Sequence, residues 1–379
     1  MRMVVTLLFL TAVAGSLAAA EPAPGGDPAL AELVARIKAV GPEGAGNPAA
    51  GAASRELAAR GPEALPALLH ALDGAGPVAA NWLRAPIDAI AERELAAGRQ
   101  LPVAELEVFL RDRAHDGRAR RLAYEWLVKV DPSAPGRLVP GMIDDPAVEL
   151  RRDAVARELE AAEALFKQDD KSAVLAAFRK LFPAARDEDQ VELIAKRLKE
   201  LGDAPDVRRH YGFIAAWRLI GPFDNAGGIG FAARYPPETA PPEALDFTAE
   251  LAGKAGPVRW KEHATEDARG VVDLNKAIGK QSGVVAYAAA VVRSATARPV
   301  SIRAGTLNAL KVWLNGRLLI TREEYHHGMS IDQYQGTGEL GAGDNLILIK
   351  VCQNEQTEDW AQDWSFQLRA CDLTGGGLQ

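Results

Sequence analysis

The chain has 379 residues, 48% of them hydrophobic and 25% charged, with a formal net charge of −7. An acidic balance with both signs interspersed excludes the dominant basic face that a nucleic-acid partner requires. The length suffices for two domains with substantial cores, and with only two cysteines, Cys352 and Cys371, the chain relies little on disulfides.

Residues 1–20 read as a cleaved secretory signal peptide. Arg2 supplies a positive start, Val4 to Val13 is apolar apart from threonine, and Ala18-Ala19-Ala20 ends in residues small enough for a signal peptidase. The apolar run is too short to cross a bilayer comfortably, and no cysteine follows the small residues to take a lipid. The expectation is export to the periplasm or the extracellular space, with no transmembrane segment after cleavage. Removal of Arg2 with the signal takes the net charge from −7 to −8. Glu21-Pro22 opens a polar Pro/Gly stretch, read as a flexible linker over 21–27.

From 28 to 210 the spacing of apolar residues is helical. Leu30, Leu33, Val34 and Ile37 mark one face, and Leu65, Leu68, Leu69 and Leu72 mark another after Gly61-Pro62. Leu106, Phe109 and Leu110 begin a third unit, continued by Leu122, Trp126 and Leu127. Arg120-Arg121-Leu122-Ala123-Tyr124 recurs 31 residues later as Arg151-Arg152-Asp153-Ala154-Val155, each after an Asp-containing turn. A period near 30 with two helices per unit is the mark of an α-solenoid, because one unit cannot bury its own apolar face. The stretch Asp144-Asp145-Pro146 to Val155 resembles a HEAT repeat, and the resemblance extends over 60–205. An irregular helical bundle is the competing reading. Helices around Ala173–Ala185 and Glu188–Leu201 close this half, with Gly202 as a C-terminal stop.

Strands and turns replace helices from 213 onward. Trp217 to Ile220 reads as a short strand stopped by Gly221-Pro222-Phe223, and Val284 to Val292 and Val300 to Ala304 as two more. Leu310 to Leu314 meets Arg317 to Ile320 across Asn315-Gly316, a pair that accepts the positive φ angles of a two-residue hairpin turn. Leu346 to Val351 and Trp364 to Arg369 complete the set, expected as a hairpin about the 355–363 loop with Cys352 opposite Trp364 and far from Cys371. Two buried thiols are therefore expected. Strands at this spacing imply an antiparallel β-sandwich.

Lys311-Val312-Trp313-Leu314-Asn315-Gly316, followed by Leu340-Gly341-Ala342-Gly343-Asp344-Asn345, resembles a galactose-binding-like jelly roll over about 213–373. The resemblance implies scaffold roles for those two motifs and a domain type that accompanies many secreted glycan-active enzymes. The whole reads as a multidomain α + β protein: a HEAT-like helical repeat over 28–210, a galactose-binding-like sandwich over 211–373, and a flexible tail over 374–379.

The densest polar clusters are Arg322-Glu323-Glu324-Tyr325-His326-His327 with Asp332-Gln333-Tyr334, and Gln353-Asn354-Glu355-Gln356 with Glu358, Asp359 and Trp360. Loops of this kind often carry binding groups. Carboxylates, amides and aromatic faces suit a sugar, whose hydroxyls need donors and acceptors while its C–H face stacks on a ring. The ligand-binding candidates are Glu323, Tyr325, His326, Asp332, Gln333, Asn354, Gln356 and Trp360. No catalytic residue, cofactor or metal is assigned: the adjacent histidines lack the i, i+4 spacing of helical zinc ligands, and His70, His115, His210 and His263 show no paired spacing. The expected function is an exported, non-enzymatic binding or scaffolding protein. Its helical repeat takes an envelope or extracellular protein partner, and its sandwich takes a glycan. A glycan-processing enzyme or accessory subunit using carboxylates of the 322–334 loop is the alternative.

Overall fold

A computed structural model describes residues 27–166 and 171–378. The signal-peptide reading of 1–20 and all but the last residue of the 21–27 linker lie outside the described residues. The chain has an N-terminal helical region and a C-terminal domain of antiparallel sheets, and so is α + β in class.

The helices are α1 Pro28–Lys38, α2 Asn47–Ala58, α3 Leu65–Ala71, α4 Pro77–Ala96, α5 Val103–Arg111, α6 Gly117–Val130, α7 Ala134–Leu138, α8 Val148–Phe166, α9 Lys171–Leu181, α10 Glu188–Glu200 and α11 Val207–Tyr211. Their ends follow local chemistry. Asp27 accepts a hydrogen bond from the Ala29 N–H ahead of α1, and Asp116 accepts one from the Arg118 N–H ahead of α6. Gly202 and Gly212, at φ +85° and +77°, end α10 and α11 in the left-handed region. Among the described residues, no helix is long and apolar enough to cross a membrane.

The chain divides into two compact units, with the break at Pro135/Gly136 inside α7. The first unit contains α1 to α6 and buries Ile37, Leu57, Leu68, Leu83, Ile90, Leu110 and Leu127. In the second, α8 to α11 share a core of Val155, Phe178, Val191, Ile194 and Leu198 with Tyr211 and Phe213.

The strands of the second unit are β1 Ala216–Asp224, β2 Glu250–Gly253, β3 Gly256–Arg259, β4 Lys261–Ala264, β5 Val272–Asp273, β6 Val284–Ser294, β7 Arg298–Thr306, β8 Ala309–Leu314, β9 Arg317–Arg322, β10 Tyr334–Leu340, β11 Gly343–Gln353 and β12 Ser365–Cys371. They form a six-stranded sheet in the order β4-β1-β6-β11-β8-β9, a four-stranded sheet in the order β10-β7-β12-β5, and the β2–β3 ribbon. Alternate residues of the two larger sheets bury one common core, with Ala286, Ile349 and Val312 on one side and Ile302, Phe366 and Leu368 on the other. Trp217 belongs to this core and meets the Phe366 ring edge-on.

The Asn-Gly hairpin is present: β8 pairs with β9, and Asn315 and Gly316 adopt φ +49° and +79°. Asn315 also joins the two motifs that carry the jelly-roll resemblance, donating from Nδ2 to Asn345 Oδ1 at 2.8 Å. Asn345 is fully buried, and its amide also bridges Gly341 and Gly343.

Three local expectations are corrected. β1 does not stop at Gly221-Pro222; it pairs with β6 on both sides of a register shift between Ile220 and Phe223, so the glycine and proline sit in a bulge. β11 and β12 do not form a hairpin. β11 lies between β6 and β8, whereas β12 lies between β7 and β5, so the 354–364 connection crosses from one sheet to the other. Both thiols are nevertheless free and buried, with Cys371 donating to Ser301 O and Cys352 on the opposite face of the six-stranded sheet from the common core. Finally, residues 374–378 fold back: Gly375 O accepts from Arg369, and the Gly377 N–H donates to His210 O.

Candidate functional site

The sheet-to-sheet connection after β11 and the β9–β10 connection come together over a buried amide framework. Asn225, Asn308 and Gln353 are all at most 1% exposed. Asn225 Nδ2 donates to Gln353 O at 2.9 Å, Asn308 Nδ2 to Gln353 Oε1 at 2.9 Å, and Gln353 Nε2 to Ala361 O at 3.0 Å. Side-chain amides act here because irregular backbone leaving a sheet must find partners when buried. The result is a loop pair braced from below.

On this frame the two loops meet through aromatic rings. The His326 N–H donates to Leu307 O at 2.8 Å, and His326 itself takes φ +59°. Its ring stands edge-on to Trp360 at 5.2 Å between centroids and lies 6.1 Å from Tyr325. Tyr325 turns inward, its hydroxyl 3.5 Å from Asn225 Nδ2, and burial pushes its phenol up to about 12. Trp360 is 64% exposed. His326 Nε2 is buried with no hydrogen-bond partner among the described residues.

Asn354 and Gln356 belong to the same end of the domain. Asn354 Nδ2 donates to Gln356 Oε1 at 3.0 Å, and its Oδ1 accepts from the Gln356 N–H at 3.1 Å. Gln356 lines a cavity of about 190 Å³ together with Lys280, Gln281, Ser282 and Gln362. Glu323, two residues before Tyr325, is exposed.

Asp332 and Gln333, six and seven residues on from His326, are used differently. Asp332 Oδ2 accepts from Arg303 at 2.7 Å, and its two oxygens take both arms of Arg369. Burial opposes the charge on Asp332, but the two guanidiniums outweigh it and hold the carboxyl below the usual carboxylate range. Arg369 continues to Tyr211 O and Gly375 O, so Asp332 anchors the junction of strand β12 with α11 and the chain end. Gln333 Oε1 accepts from the Thr306 N–H at 3.0 Å, and its Nε2 reaches His327 Nδ1 at 2.7 Å.

Two further polar clusters carry no signal in sequence spacing. On the outer face of the six-stranded sheet, Lys350 is fully buried and faces Glu238 at 3.4 Å, with Phe231 O at 3.2 Å and Ala233 O at 2.5 Å. Burial drives the Lys350 ammonium below its ordinary value, and Glu238 opposes that shift. This contact ties the 229–240 segment to β11. In the first unit, His70, Asp73 and His115 converge, although 45 positions separate the two histidines. Only tertiary packing brings them together.

No protein-family model matches the chain, and no curated protein matches it. Parts of solved structures do. A β-glucosidase from Kluyveromyces marxianus in complex with glucose is 13% identical, covers 41% of this chain and 16% of its own, and has a TM-score of 0.23. An FMN-binding β-glucuronidase from Facaelibacterium prausnitzii is 12% identical over 42% of this chain and 22% of its own, at 0.23. An anti-sigma factor domain-containing protein is 14% identical over 30% and 37%, also at 0.23. The chain thus spans well under half the length of each.

Proposed function

We propose that this is an exported, non-enzymatic binding protein whose sheet domain holds a glycan against Trp360. In this reading the signal peptide at 1–20 delivers it to the periplasm or the extracellular space, and the helical region takes a protein partner. The observation that carries the proposal is the Trp360 ring: a large apolar face, 64% exposed, backed by His326 and set on loops braced by buried amides. An exposed indole on a rigid base suits stacking against a sugar C–H face. Gln356, Asn354 and Glu323 supply donors and acceptors for hydroxyls nearby.

We also propose that the chain consists of HEAT-like repeats followed by a galactose-binding-like jelly roll. In its favour, Arg120 Nε donates to Leu110 O at the end of α5 and Arg151 Nε to Asp145 O in the turn before α8, so each of the repeated arginines bonds back to the segment that precedes its helix. The Asn315–Asn345 contact likewise supports scaffold roles for the two sheet-domain motifs.

The alternative, glycan processing by carboxylates of the 322–334 loop, has less support. A general acid or base must reach substrate, and Asp332 spends both oxygens on Arg303 and Arg369. The deciding experiment screens the full mature chain on a glycan array and then assays hydrolysis of each bound glycan. Binding without turnover, lost in Trp360→Ala and kept in Asp332→Asn, is the expected result. Turnover lost in Glu323→Gln favours the enzyme instead.

A further inference from the structure

We propose that His70, Asp73 and His115 form a binding site for a divalent transition-metal ion of the zinc class. Asp73 follows α3, whose last turn carries His70, and His115 lies in the turn between α5 and α6. Asp73 Oδ2 is 2.8 Å from His115 Nδ1 and 3.9 Å from His70 Nδ1, and one donor atom from each residue lies within 4.8 Å of the others. Two imidazoles and a carboxylate are the donor set zinc favours, with bonds of about 2.0–2.2 Å. Donors on such a tetrahedral ion stand about 3.3 Å apart, a spacing that follows from those bond lengths. The His115–Asp73 separation opens by a few tenths of an ångström to reach it, and the His70–Asp73 separation closes by a similar amount.

Two of the three ligands are already held in place. The His115 ring stacks on Phe109 at 4.0 Å between centroids, and Asp73 Oδ1 accepts from the Asp116 N–H at 2.7 Å. Asp73 Oδ2 is hydrogen-bonded to His115 Nδ1, and a bound ion takes the place of the proton between them. His115 Nε2 lies 3.6 Å from Asp112 Oδ2, so the ring that offers Nδ1 to the metal faces a carboxylate on its far side. A carboxylate in that place is the outer partner that orients a metal-ligating imidazole. His70 is the exposed member, with its side chain 57% exposed and its ring 4.5 Å from that of His115 at 82°. Solvent reaches the site from this side and supplies the fourth position as water. The site lies wholly in the first unit and is independent of the glycan reading.

The test uses the untagged full mature chain, stripped with EDTA and titrated with Zn2+ by calorimetry and with Co2+ by visible absorption. One ion per chain and the d–d bands of tetrahedral Co2+ are expected. Asp112→Asn should weaken Zn2+ about tenfold, the loss of an outer partner, and His70→Ala and Asp73→Asn, which remove ligands, should each weaken it more than that. His263→Ala, in the other unit, should leave binding unchanged. Because His70 is exposed, its alanine variant keeps the fold, which circular dichroism checks on the same sample. Absence of saturable binding, or equal affinity in His70→Ala, overturns the proposal.

Discussion

Replacing Asp332 tests the division of labour within the 322–334 loop. Its carboxylate lies between Arg303 and Arg369, and Arg369 is only 2% exposed. In Asp332→Ala the two guanidiniums face each other across the space it leaves, with no counter-charge from that loop. Removing one partner of a buried ion pair costs about 3–5 kcal/mol. Asp332 itself is 21% exposed, which favours the low end, about 3 kcal/mol. For a unit of this size each kcal/mol shifts the midpoint by about 2–4 °C, so the melt of the sheet-containing unit should fall by about 6–12 °C. Asp332→Asn keeps one acceptor and should lose less. The pH dependence has a fixed sign. The folded carboxyl is held below its unfolded value of about 3.9, so its stabilisation is complete above that pH and is lost as pH falls toward the folded value. Differential scanning calorimetry of wild type and Asp332→Ala at neutral and acidic pH reads both effects. A midpoint shift under about 1 °C at neutral pH would refute the anchoring role, since even one lost charge-assisted hydrogen bond exceeds that.

The other predictions concern groups that sequence spacing did not single out. His210 is pushed down to about 4 by burial and by the nearby Arg186, despite its bond to Ala185 O. Its unfolded value is about 6.5, so stability should drop by about 3 kcal/mol between pH 6.5 and 4 as the unfolded chain takes the proton. His210→Gln should flatten that part of the urea-unfolding profile, and an unchanged slope would contradict the assignment. Glu238→Ala leaves Lys350 buried without its carboxylate and should cost about 3 kcal/mol, whereas the double variant Glu238→Met with Lys350→Met should recover most of it. Equal losses in the two variants, read in denaturant melts, would show that the pair's charges are not what matters.

How much could be read in the sequence depended on the range of the interaction. The Asn315-Gly316 hairpin was legible because positive φ at adjacent residues is a local demand with few solutions. The change from helices to strands near 213 was legible from periodicity, and α11 ends at Tyr211 with β1 starting at Ala216. Strand partners were not legible: the alternation in Leu346–Val351 and Trp364–Arg369 is the same whether they pair or enter different sheets, and they enter different sheets. The candidate site was legible in part. Tyr325, His326 and Trp360 do meet, but Asp332 turns to Arg369 and Arg303, arginines on strands β12 and β7 that no local pattern links to it. The amides beneath the site come from separate places in the chain, Asn225 and Asn308 from two connections and Gln353 from the end of β11, and no local pattern links them. The same limit hid His70 and His115.

Trp360 is the proposed face on which a glycan rests. The most direct measurement is tryptophan fluorescence of the full mature chain during titration with the tightest glycan from the array, compared with Trp360→Phe and Trp360→Ala. Subtracting the Trp360→Phe signal isolates one indole among the seven. A glycan resting on Trp360 should give a saturable change confined to that indole. Trp360→Ala should then lose about 2 kcal/mol, roughly thirtyfold in Kd. Saturable binding with no change at Trp360, and with equal affinity in the alanine variant, would contradict it.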